Sequence, residues 1–246
     1  MSRDALRAEI IPAQELSTGL SDRLYGLYDH CYDGADRERF YADLGEKHWI
    51  ILLRDSINDH PAGFSTQMLI RVTVHGRPIC ALFSGDTIIH PAYWGSQELV
   101  RAWCRFAGQL KANLGNSPLF WFLISKGYRT YLYLPCFFRT FHPRYDSPTP
   151  PFEAQLIGAL GMRKYPKEFD PCTGVVAHGG IHDRLKSALD STEKHVRNPH
   201  VDYFIRRNPH YWKGDELVCV AEIAPDNMRS IAKRELEIGL QSVAPL

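Results

Sequence analysis

The sequence predicts an α/β fold with a mixed, largely antiparallel central sheet flanked by helices. Short apolar runs bounded by polar residues, at His48–Arg54 and Leu119–Ser125, are typical of buried strands. Two longer runs, Ala62–Val74 and Arg77–Ile89, meet at His75-Gly76 as the strands of a hairpin do. Between these strands lie stretches whose apolar residues recur at helical spacing. The order is a strand, two helices, three strands, a helix and a strand.

The first elements follow from local signals. Residues 8–12 read as a short strand that ends at Pro12, and residues 14–33 carry the apolar stripe of a helix. Gly34 can end that helix, because glycine readily adopts the conformation that follows a last helical turn. Asp36 is placed to cap a second helix.

The most informative stretch leads from a strand into a helix. Pro91 stops the strand, since it has no N–H to donate, and Gly95 permits a sharp turn. Ser96 is predicted as the N-cap of the helix, and Glu98 favours its first turn. The apolar positions that then recur at helical spacing are 99, 100, 103, 106, 107 and 110. Such a turn offers unpaired N–H groups and a positive dipole end, which suit a pyrophosphate.

The second half carries no motif of its own. Helical residues at Tyr128–Leu134 are expected to stop at Pro135. The proline-rich stretch Pro143–Pro151 is the best internal boundary, so we predict a core over 1–146 and an extension over 147–246 that continues the sheet. A separate small domain is the alternative for the second part. The elements predicted beyond it are a helix at Phe152–Gly161, a strand at Gly174–Ala177, a helix near His182–Lys194, extended pieces at Asp202–Arg207 and Glu216–Ile223, and a last helix at Pro225–Gly239.

Composition narrows the class of protein. The chain has 246 residues, 44% hydrophobic and 23% charged, which are ordinary globular values. Its net charge of +1 gives no reason to expect nucleic acid as a partner. The N-terminus has no apolar segment of a signal peptide, and no apolar run is long enough to cross a bilayer. We therefore expect a cytoplasmic protein without membrane insertion; a homodimer is left open.

The cysteines and histidines predict neither disulfides nor a metal site. The six cysteines are scattered without a CxxC pair, which fits free thiols in a reducing compartment, and Cys136 is expected to be buried and inert. Cys172, His178 and His182 have no fourth ligand beside them, so no metal is expected. The cluster Phe137, Phe138 and Phe141 fits core packing better than an acyl tunnel; its members are expected in the core.

The segment Ile89-His-Pro-Ala-Tyr-Trp-Gly-Ser-Gln-Glu-Leu99 resembles the pyrophosphate loop of the GNAT (GCN5-related) N-acyltransferases. In that family a strand runs into Pro-x-x-Arg-Gly-x-Gly and a long helix. Gly95 matches the pattern, whereas Trp94 stands in place of the arginine and Gln97 in place of the second glycine. The order of elements over residues 8–145 is similar to the GNAT layout as well. The resemblance implies a GNAT-like sheet.

The resemblance also implies a donor site. The residues that would bind the donor are Ile88, Ile89, Tyr93, Trp94, Gly95, Ser96, Gln97 and Glu98. Their other interpretation is a plain connection between strand and helix. The two departures from the family pattern leave the donor open between acyl-CoA and the phosphopantetheine of an acyl carrier protein. The implied reaction moves an acyl group from this thioester to the amine of a small molecule, with no metal.

Three residues are candidates for catalysis. Asp86 lies within a strand, where a buried carboxylate is costly, and it is placed to take the proton of the amine directly or through a water. His90 is a second candidate base, or a hydrogen-bond donor to a phosphate. Tyr131 follows the last strand, where many GNAT enzymes carry a tyrosine that protonates the leaving thiolate. The structural alternatives are a satisfied aspartate, a loop-capping histidine and a packed aromatic ring.

Two other functions compete with a CoA-dependent N-acyltransferase. One is an N-acyl amino acid or homoserine-lactone type synthase that takes its acyl group from an acyl carrier protein. The other is a non-catalytic GNAT-like module that binds acyl-CoA without turning it over. Loss of activity with retained donor binding in Asp86→Asn would indicate an enzyme.

Overall fold

The computed structural model describes residues 5–179, 184–185 and 198–242. Its strands are β1 (Leu6–Pro12), β2 (Tyr32–Asp33), β3 (Trp49–Asp55), β4 (Pro61–Val74), β5 (Arg77–Ile89), β6 (Leu119–Ser125), β7 (Phe169–Asp170), β8 (Val175–Val176), β9 (Arg184–Leu185) and β10 (Glu216–Glu222). Its helices are α1 (Thr18–Cys31), α2 (Arg37–Gly45), α3 (Glu98–Asn113), α4 (Tyr128–Tyr131), α5 (Tyr133–Phe137), α6 (Pro151–Lys164), α7 (Pro199–Arg207) and α8 (Ser230–Leu240). The predicted α/β class, with a large and mostly antiparallel sheet, is confirmed.

The chain divides into two compact units. The first draws on Met1–Leu69, Ser84–Gly115 and Ser230–Leu246, and the second on Ile70–Phe83 and Asn116–Arg229. Both therefore contain part of β4 and part of β5. The predicted boundary at residue 146 stays a prediction.

In the first unit the strands are ordered β1-β3-β4-β5. β1 and β3 are antiparallel, from Leu6 opposite Asp55 to Pro12 opposite Trp49. β3 is buried almost throughout because every residue from Ile50 to Leu53 has no exposed surface. This burial on both faces explains why the strand is a continuous apolar run in the sequence.

Helices α3 and α8 of this unit cross with their backbones in contact. A Cβ atom on Gly108 would lie 2.3 Å from the Leu236 carbonyl oxygen, and one on Gly239 would lie 2.0 Å from the Arg105 carbonyl oxygen. Both glycines are therefore required by the close approach. Arg105 Nε also donates to Glu235 Oε2 at 2.6 Å. This contact fixes the helix whose N-terminus follows the candidate donor loop.

In the second unit the strands are ordered β4-β5-β6-β10-β8-β7. β10 is antiparallel to β6, from Leu217 opposite Ser125 to Glu222 opposite Phe120. The C-terminal part of the chain therefore contributes a strand beside β6. The core of this unit is aromatic: Tyr131, Phe138 and Phe204 have no exposed surface.

Several expectations for the second half are corrected. Residues 202–207 are helical rather than extended, because Asn198 accepts the His200 N–H at 3.0 Å and Pro199 opens a helix. Pro135 lies inside α5 rather than ending a helix, because it falls in the first turn, where its missing N–H is not needed.

The last helix begins later than predicted. The N–H groups of Asn227 and Met228 both bond to the carbonyl of Ala224, so the chain around Pro225 forms a turn, and α8 starts at Ser230. The helix predicted near His182–Lys194 lies outside the described residues, apart from Arg184–Leu185 in β9. Within the part of the chain that the structure describes, no helix combines the length and apolar character needed to span a bilayer.

Candidate active site

The β4–β5 hairpin changes register beside Asp86. Ser65 and Gln67, two residues apart on β4, hydrogen-bond to Thr87 and Ser84, which are three residues apart on β5. The side-chain distances are 2.7 Å for Ser65–Thr87 and 2.9 Å for Gln67–Ser84. β5 therefore carries one extra residue between these contacts. Such a bulge bends a strand and redirects side chains, and it is common next to active sites.

The hydrogen bond between the far ends of β4 and β5 shows the same one-residue change of register. Counting from the two-residue loop at His75-Gly76, an unbroken ladder would place Ala62 opposite Ile89. Instead the Ala62 carbonyl accepts the His90 N–H at 2.9 Å. β4 and β5 remain in close contact beyond the bulge, because a Cβ on Gly63 would lie 2.6 Å from the Ile88 carbonyl oxygen.

A buried chain of polar groups ties this hairpin to α3. Trp103 Nε1 donates to Ser84 Oγ at 3.1 Å, and Ser84 Oγ donates to Gln67 Oε1. Gln67 Nε2 in turn donates to Ser65 Oγ at 2.8 Å. Gln67 has no exposed surface, so each of its polar atoms needs these partners. Asp86 lies at the bulge beyond this chain and is half-buried.

The turn after β5 is held from several sides. Residues Pro91–Tyr93 form a single 3₁₀ turn, capped by His90, whose Nδ1 accepts the Ala92 N–H at 3.3 Å. The Tyr93 hydroxyl donates to Asp55 Oδ2. The hydroxyl holds the pKa of Asp55 below its usual range, and the carboxylate raises the pKa of Tyr93. His90 also stacks on His30, with ring centroids 5.7 Å apart.

Trp94, which replaces the arginine of the family pattern, folds back on the strand. Its Nε1 donates to the Ile89 carbonyl at 2.9 Å, while half of the residue remains exposed. Gly95 follows with φ +92°, a conformation that side chains rarely adopt. This glycine is therefore required by the turn itself, as predicted.

The helix start differs from the prediction by one residue. The N-cap is Gln97 rather than Ser96, and its side chain caps no N–H of the helix. Ser96 Oγ does accept the N–H of Glu98, the first residue of the helix, at 3.3 Å. The serine therefore satisfies one N–H of the first turn although it lies one residue before the N-cap. The positions predicted to face the core are confirmed for Leu99 and Trp103, which are buried.

Unpaired backbone N–H groups line this turn. Across the described residues, no hydrogen-bond acceptor is found for the N–H groups of Gly95, Gln97, Leu99 and Val100. The first turn of a 16-residue helix concentrates partial positive charge at these groups. The geometry is that of an anion site on the backbone.

Two charged side chains flank these N–H groups. Glu98 is partly buried, and burial raises the pKa of its carboxyl. Arg101 Nη1 lies 4.0 Å from Glu98 Oε2, and the arginine side chain is 42% exposed. Arg101 was not predicted as a site residue; its signal in the sequence is a basic residue three positions after the first acidic residue of the helix. Because this side chain is partly exposed, Arg101 can supply a second positive charge to an anion bound at the turn.

Tyr131 belongs to the second unit. Its hydroxyl donates to the Pro143 carbonyl at 2.8 Å, its ring has no exposed surface, and burial raises its pKa. These are the contacts of a core tyrosine, and the proton-donor role stays a prediction. Phe138 and Phe141 are buried in the same unit, as predicted, and Phe137 is partly buried.

A buried polar pair of this unit, His178 and Glu216, was not predicted from the sequence. His178 Nε2 lies 2.9 Å from Glu216 Oε2, and both residues are buried. Asp215 accepts the His178 N–H at 3.2 Å. No alternation of polar and apolar residues marks Glu216 as a candidate, because β10 is buried on both faces. His178 is thus engaged by carboxylates, while His182 lies outside the described residues.

The cysteines are free, and their burial is uneven. Cys31, Cys80, Cys104 and Cys219 are buried, whereas Cys172 and Cys136 are exposed. The expectation that Cys136 is buried is wrong, because the short helix α5 buries only Leu134 and leaves Cys136 exposed.

The chain is similar to solved structures of N-acyltransferases. One is a probable N-acyltransferase from Enterococcus faecalis, a conserved protein of unknown function, with 13% identity, 55% of this chain covered, 33% of that chain covered and a TM-score of 0.41. Another is a GNAT family N-acetyltransferase from Escherichia coli in complex with CoA, with 16% identity, coverages of 51% and 67% and a TM-score of 0.36. An aminoglycoside 6'-N-acetyltransferase complexed with coenzyme A gives 10% identity, coverages of 88% and 98% and a TM-score of 0.38.

The match thus spans about a third of the length of the Enterococcus protein. No protein-family model and no curated protein matches this sequence.

Proposed function

We propose that this protein is a GNAT-like N-acyltransferase that moves an acyl group from acyl-CoA to the amine of a small molecule. One observation carries the proposal: the turn and the first helical turn that follow the bulged strand β5 present the unpaired N–H groups of Gly95, Gln97, Leu99 and Val100. A pyrophosphate is a compact dianion with many acceptor oxygens, which is what such a row of donors binds.

The donor would bind through the backbone rather than through a dedicated arginine. The N–H groups of Gly95 and Gln97 and those of the first helical turn would hold the phosphates, with Arg101 supplying a charge nearby. Ile88 and Ile89 at the end of β5 would lie along the pantetheine arm. Trp94 would have to release the Ile89 carbonyl for that arm to pair with it.

The reaction needs one base and one acid. The amine nitrogen attacks the thioester carbonyl carbon, the carbonyl oxygen takes the negative charge, and the C–S bond then breaks to leave a thiolate. Asp86, or a water that it orients, takes the proton of the amine. The residue proposed to protonate the thiolate is Tyr131, and His90 is the alternative base. Backbone N–H groups near the bulge would stabilise the oxyanion.

One structural observation favours a second candidate function. The Ile89 carbonyl is already occupied by Trp94 Nε1, so the edge that would pair with pantetheine is closed in this state. A non-catalytic module that binds acyl-CoA weakly fits this arrangement. A carrier-protein donor, as in N-acyl amino acid or homoserine-lactone synthases, remains the alternative for the enzyme.

Thermal shift with acetyl-CoA, a long-chain acyl-CoA and free CoA tests donor binding. A ligand that binds the native state raises the melting temperature once its concentration exceeds its dissociation constant. We expect a shift with CoA itself, because the phosphates carry the binding. Absence of a shift with all three would overturn the CoA-dependent function and leave a carrier protein as donor.

Asp86→Asn then separates the enzyme from the module. For the enzyme we expect acyl transfer to fall at least about a hundredfold, with donor binding retained. Asp202→Asn, at an exposed position of α7, is the matched control and should leave activity unchanged. A wild-type protein that binds acyl-CoA without turnover for any amine would support the module instead.

A further inference from the structure

The second unit contains a cavity that the proposed reaction does not use. Its volume is about 500 Å³, within the range of small-molecule sites. It lies beside Phe120 at the start of β6, Glu222 at the end of β10 and the segment 139–142, with Glu153 of α6 at its edge. None of its lining residues is among those proposed to bind the donor or to take part in acyl transfer.

One wall of this cavity is fixed by the side chain of Asn227. Its Nδ2 donates to the carbonyls of Thr140 at 2.9 Å and Glu222 at 2.8 Å. Its Oδ1 accepts the Thr140 N–H at 2.8 Å. The Arg139 N–H also donates to the Asn227 carbonyl at 2.8 Å. A single side chain thus ties two stretches of the lining together, and the cavity is built rather than left by loose packing.

The lining is acidic. The lining includes three acidic residues, Glu153, Glu222 and Asp226, and one basic residue, Arg139, so with a neutral histidine its formal charge is −2. Among the described residues, the carboxylates of Glu153 and Glu222 have neither a hydrogen bond nor an ion pair. Unpaired carboxylates around one cavity favour a cationic guest.

His142 adds a buried acceptor to this lining. It is 4% exposed, and its Nδ1 has no hydrogen-bond partner among the described residues. Burial lowers the pKa of His142, so the ring is neutral at pH 7 and one of its nitrogens is an acceptor. A buried polar atom without a partner is uncommon in native proteins and calls for an explanation.

The remaining walls are apolar. Phe120 and Phe141 are both buried and both line the cavity, together with Val220 and Ala221. Aromatic faces attract organic cations through their ring electrons, and the aliphatic walls suit a carbon skeleton. The lining thus combines apolar side chains with acidic groups.

We propose that this cavity is a binding site for a small organic cation, an ammonium or guanidinium group on an apolar stem. The unpaired carboxylates of Glu153 and Glu222 would hold the charge, His142 would accept one of its hydrogen bonds, and the phenylalanine rings would contact the stem. The site stands independently of acyl transfer, since it uses other residues.

Three probes with one skeleton and different charges test this proposal. Calorimetric titration with 2-phenylethylamine, 2-phenylethanol and phenylacetate compares a cation, a neutral molecule and an anion. We expect the amine to bind at least about fivefold more tightly than the alcohol, and phenylacetate to bind least. Glu153→Gln and Glu222→Gln should each weaken the amine about three- to tenfold and leave the alcohol unchanged.

Glu237→Gln, which removes a carboxylate paired with Lys233 on α8, is the control and should change nothing. Using two separate glutamate variants keeps the test decisive if one of them folds poorly, as judged by its melting temperature. Equal affinity for amine and alcohol, no binding of the amine, or an unchanged amine affinity in both glutamate variants would each overturn the proposal. None of these outcomes depends on whether CoA binds.

Discussion

The indole Nε1 of Trp94 donates to the main-chain carbonyl of Ile89 at 2.9 Å, across the turn that leaves β5. The bond joins the residue that replaces an arginine of the GNAT loop to the strand end that would meet the donor. If the donor must displace it, the tryptophan opposes binding instead of assisting it.

Trp94→Phe therefore gives a directional prediction. Phenylalanine retains an aromatic ring at this position but has no N–H to donate, so the Ile89 carbonyl becomes available to the pantetheine arm. We expect the affinity for acetyl-CoA to rise about two- to fivefold, measured by calorimetry. Trp212→Phe, at another largely exposed tryptophan, should have no effect. A loss of affinity in Trp94→Phe would show that the indole contacts the donor directly.

Glu98 predicts how donor binding changes with pH. Burial raises the pKa of this carboxyl, and at pH 7 its charge repels a phosphate at the helix start. As the pH falls towards the raised pKa, the carboxyl becomes neutral, so the affinity for CoA should increase. Glu98→Gln should bind CoA about two- to fivefold more tightly at pH 7 and lose this acid-side increase. An identical pH profile for both proteins would refute a role of Glu98.

Gly63 tests the close contact between β4 and the end of β5. In Gly63→Ala the new methyl group would lie 2.6 Å from the Ile88 carbonyl oxygen, which is backbone and cannot rotate away. We expect a loss of about 1–3 kcal/mol in the free energy of unfolding. Gly26→Ala, on α1 with no atom near the new carbon, should instead be neutral or stabilise by about 0.5–1 kcal/mol. Urea unfolding curves measure both.

The bond between Tyr93 and Asp55 predicts acid sensitivity. Because the pKa of Asp55 is lowered, its contribution to stability is full above the ordinary value of 3.8 and is lost as the pH falls through the lowered pKa. Tyr93→Phe should lower the melting temperature at pH 7. The difference from the wild type should shrink at acid pH, below 3.8, and a constant difference would argue against this bond.

Tyr131→Phe separates packing from chemistry. The Pro143 carbonyl loses its buried donor, so stability should fall by about 1–2 kcal/mol. If the hydroxyl also protonates the thiolate, kcat should fall at least about tenfold while KM for the donor is unchanged. Tyr145→Phe, at a 44% exposed tyrosine, is the control for both measurements. Full activity in Tyr131→Phe would assign the residue to packing alone.

The elements that sequence reasoning predicted well are those with one dominant local signal. The predicted bounds of Leu119–Ser125 match those of β6, because a strand buried at nearly every position shows a continuous apolar run. The helix α7 was misread because Asp202–Arg207 has too few apolar residues to show a period. Its capping signals, Asn198 and Pro199, lie upstream of Asp202, where the predicted extended piece begins.

Of the candidate site, only the backbone turn after β5 could be predicted from the sequence. Pro91 and Gly95 predict the turn. The register change at Asp86 is a relation between two paired strands, so no pattern along one strand reveals it. The bond from Trp94 to Ile89 and the charge of Arg101 depend on side-chain positions in space. The cavity of the second unit is assembled from residues a hundred positions apart, which local patterns do not relate.

The most direct test of the central claim measures CoA affinity against a charge placed at the helix start. Gln97→Glu puts a carboxylate beside the unpaired N–H groups with almost no change of shape, and Gln109→Glu does the same further along α3. Calorimetric titration should show CoA binding to the wild type, about a tenfold loss in Gln97→Glu and little change in Gln109→Glu. No binding of CoA to the wild type, or equal losses in both variants, would contradict a phosphate site at this turn.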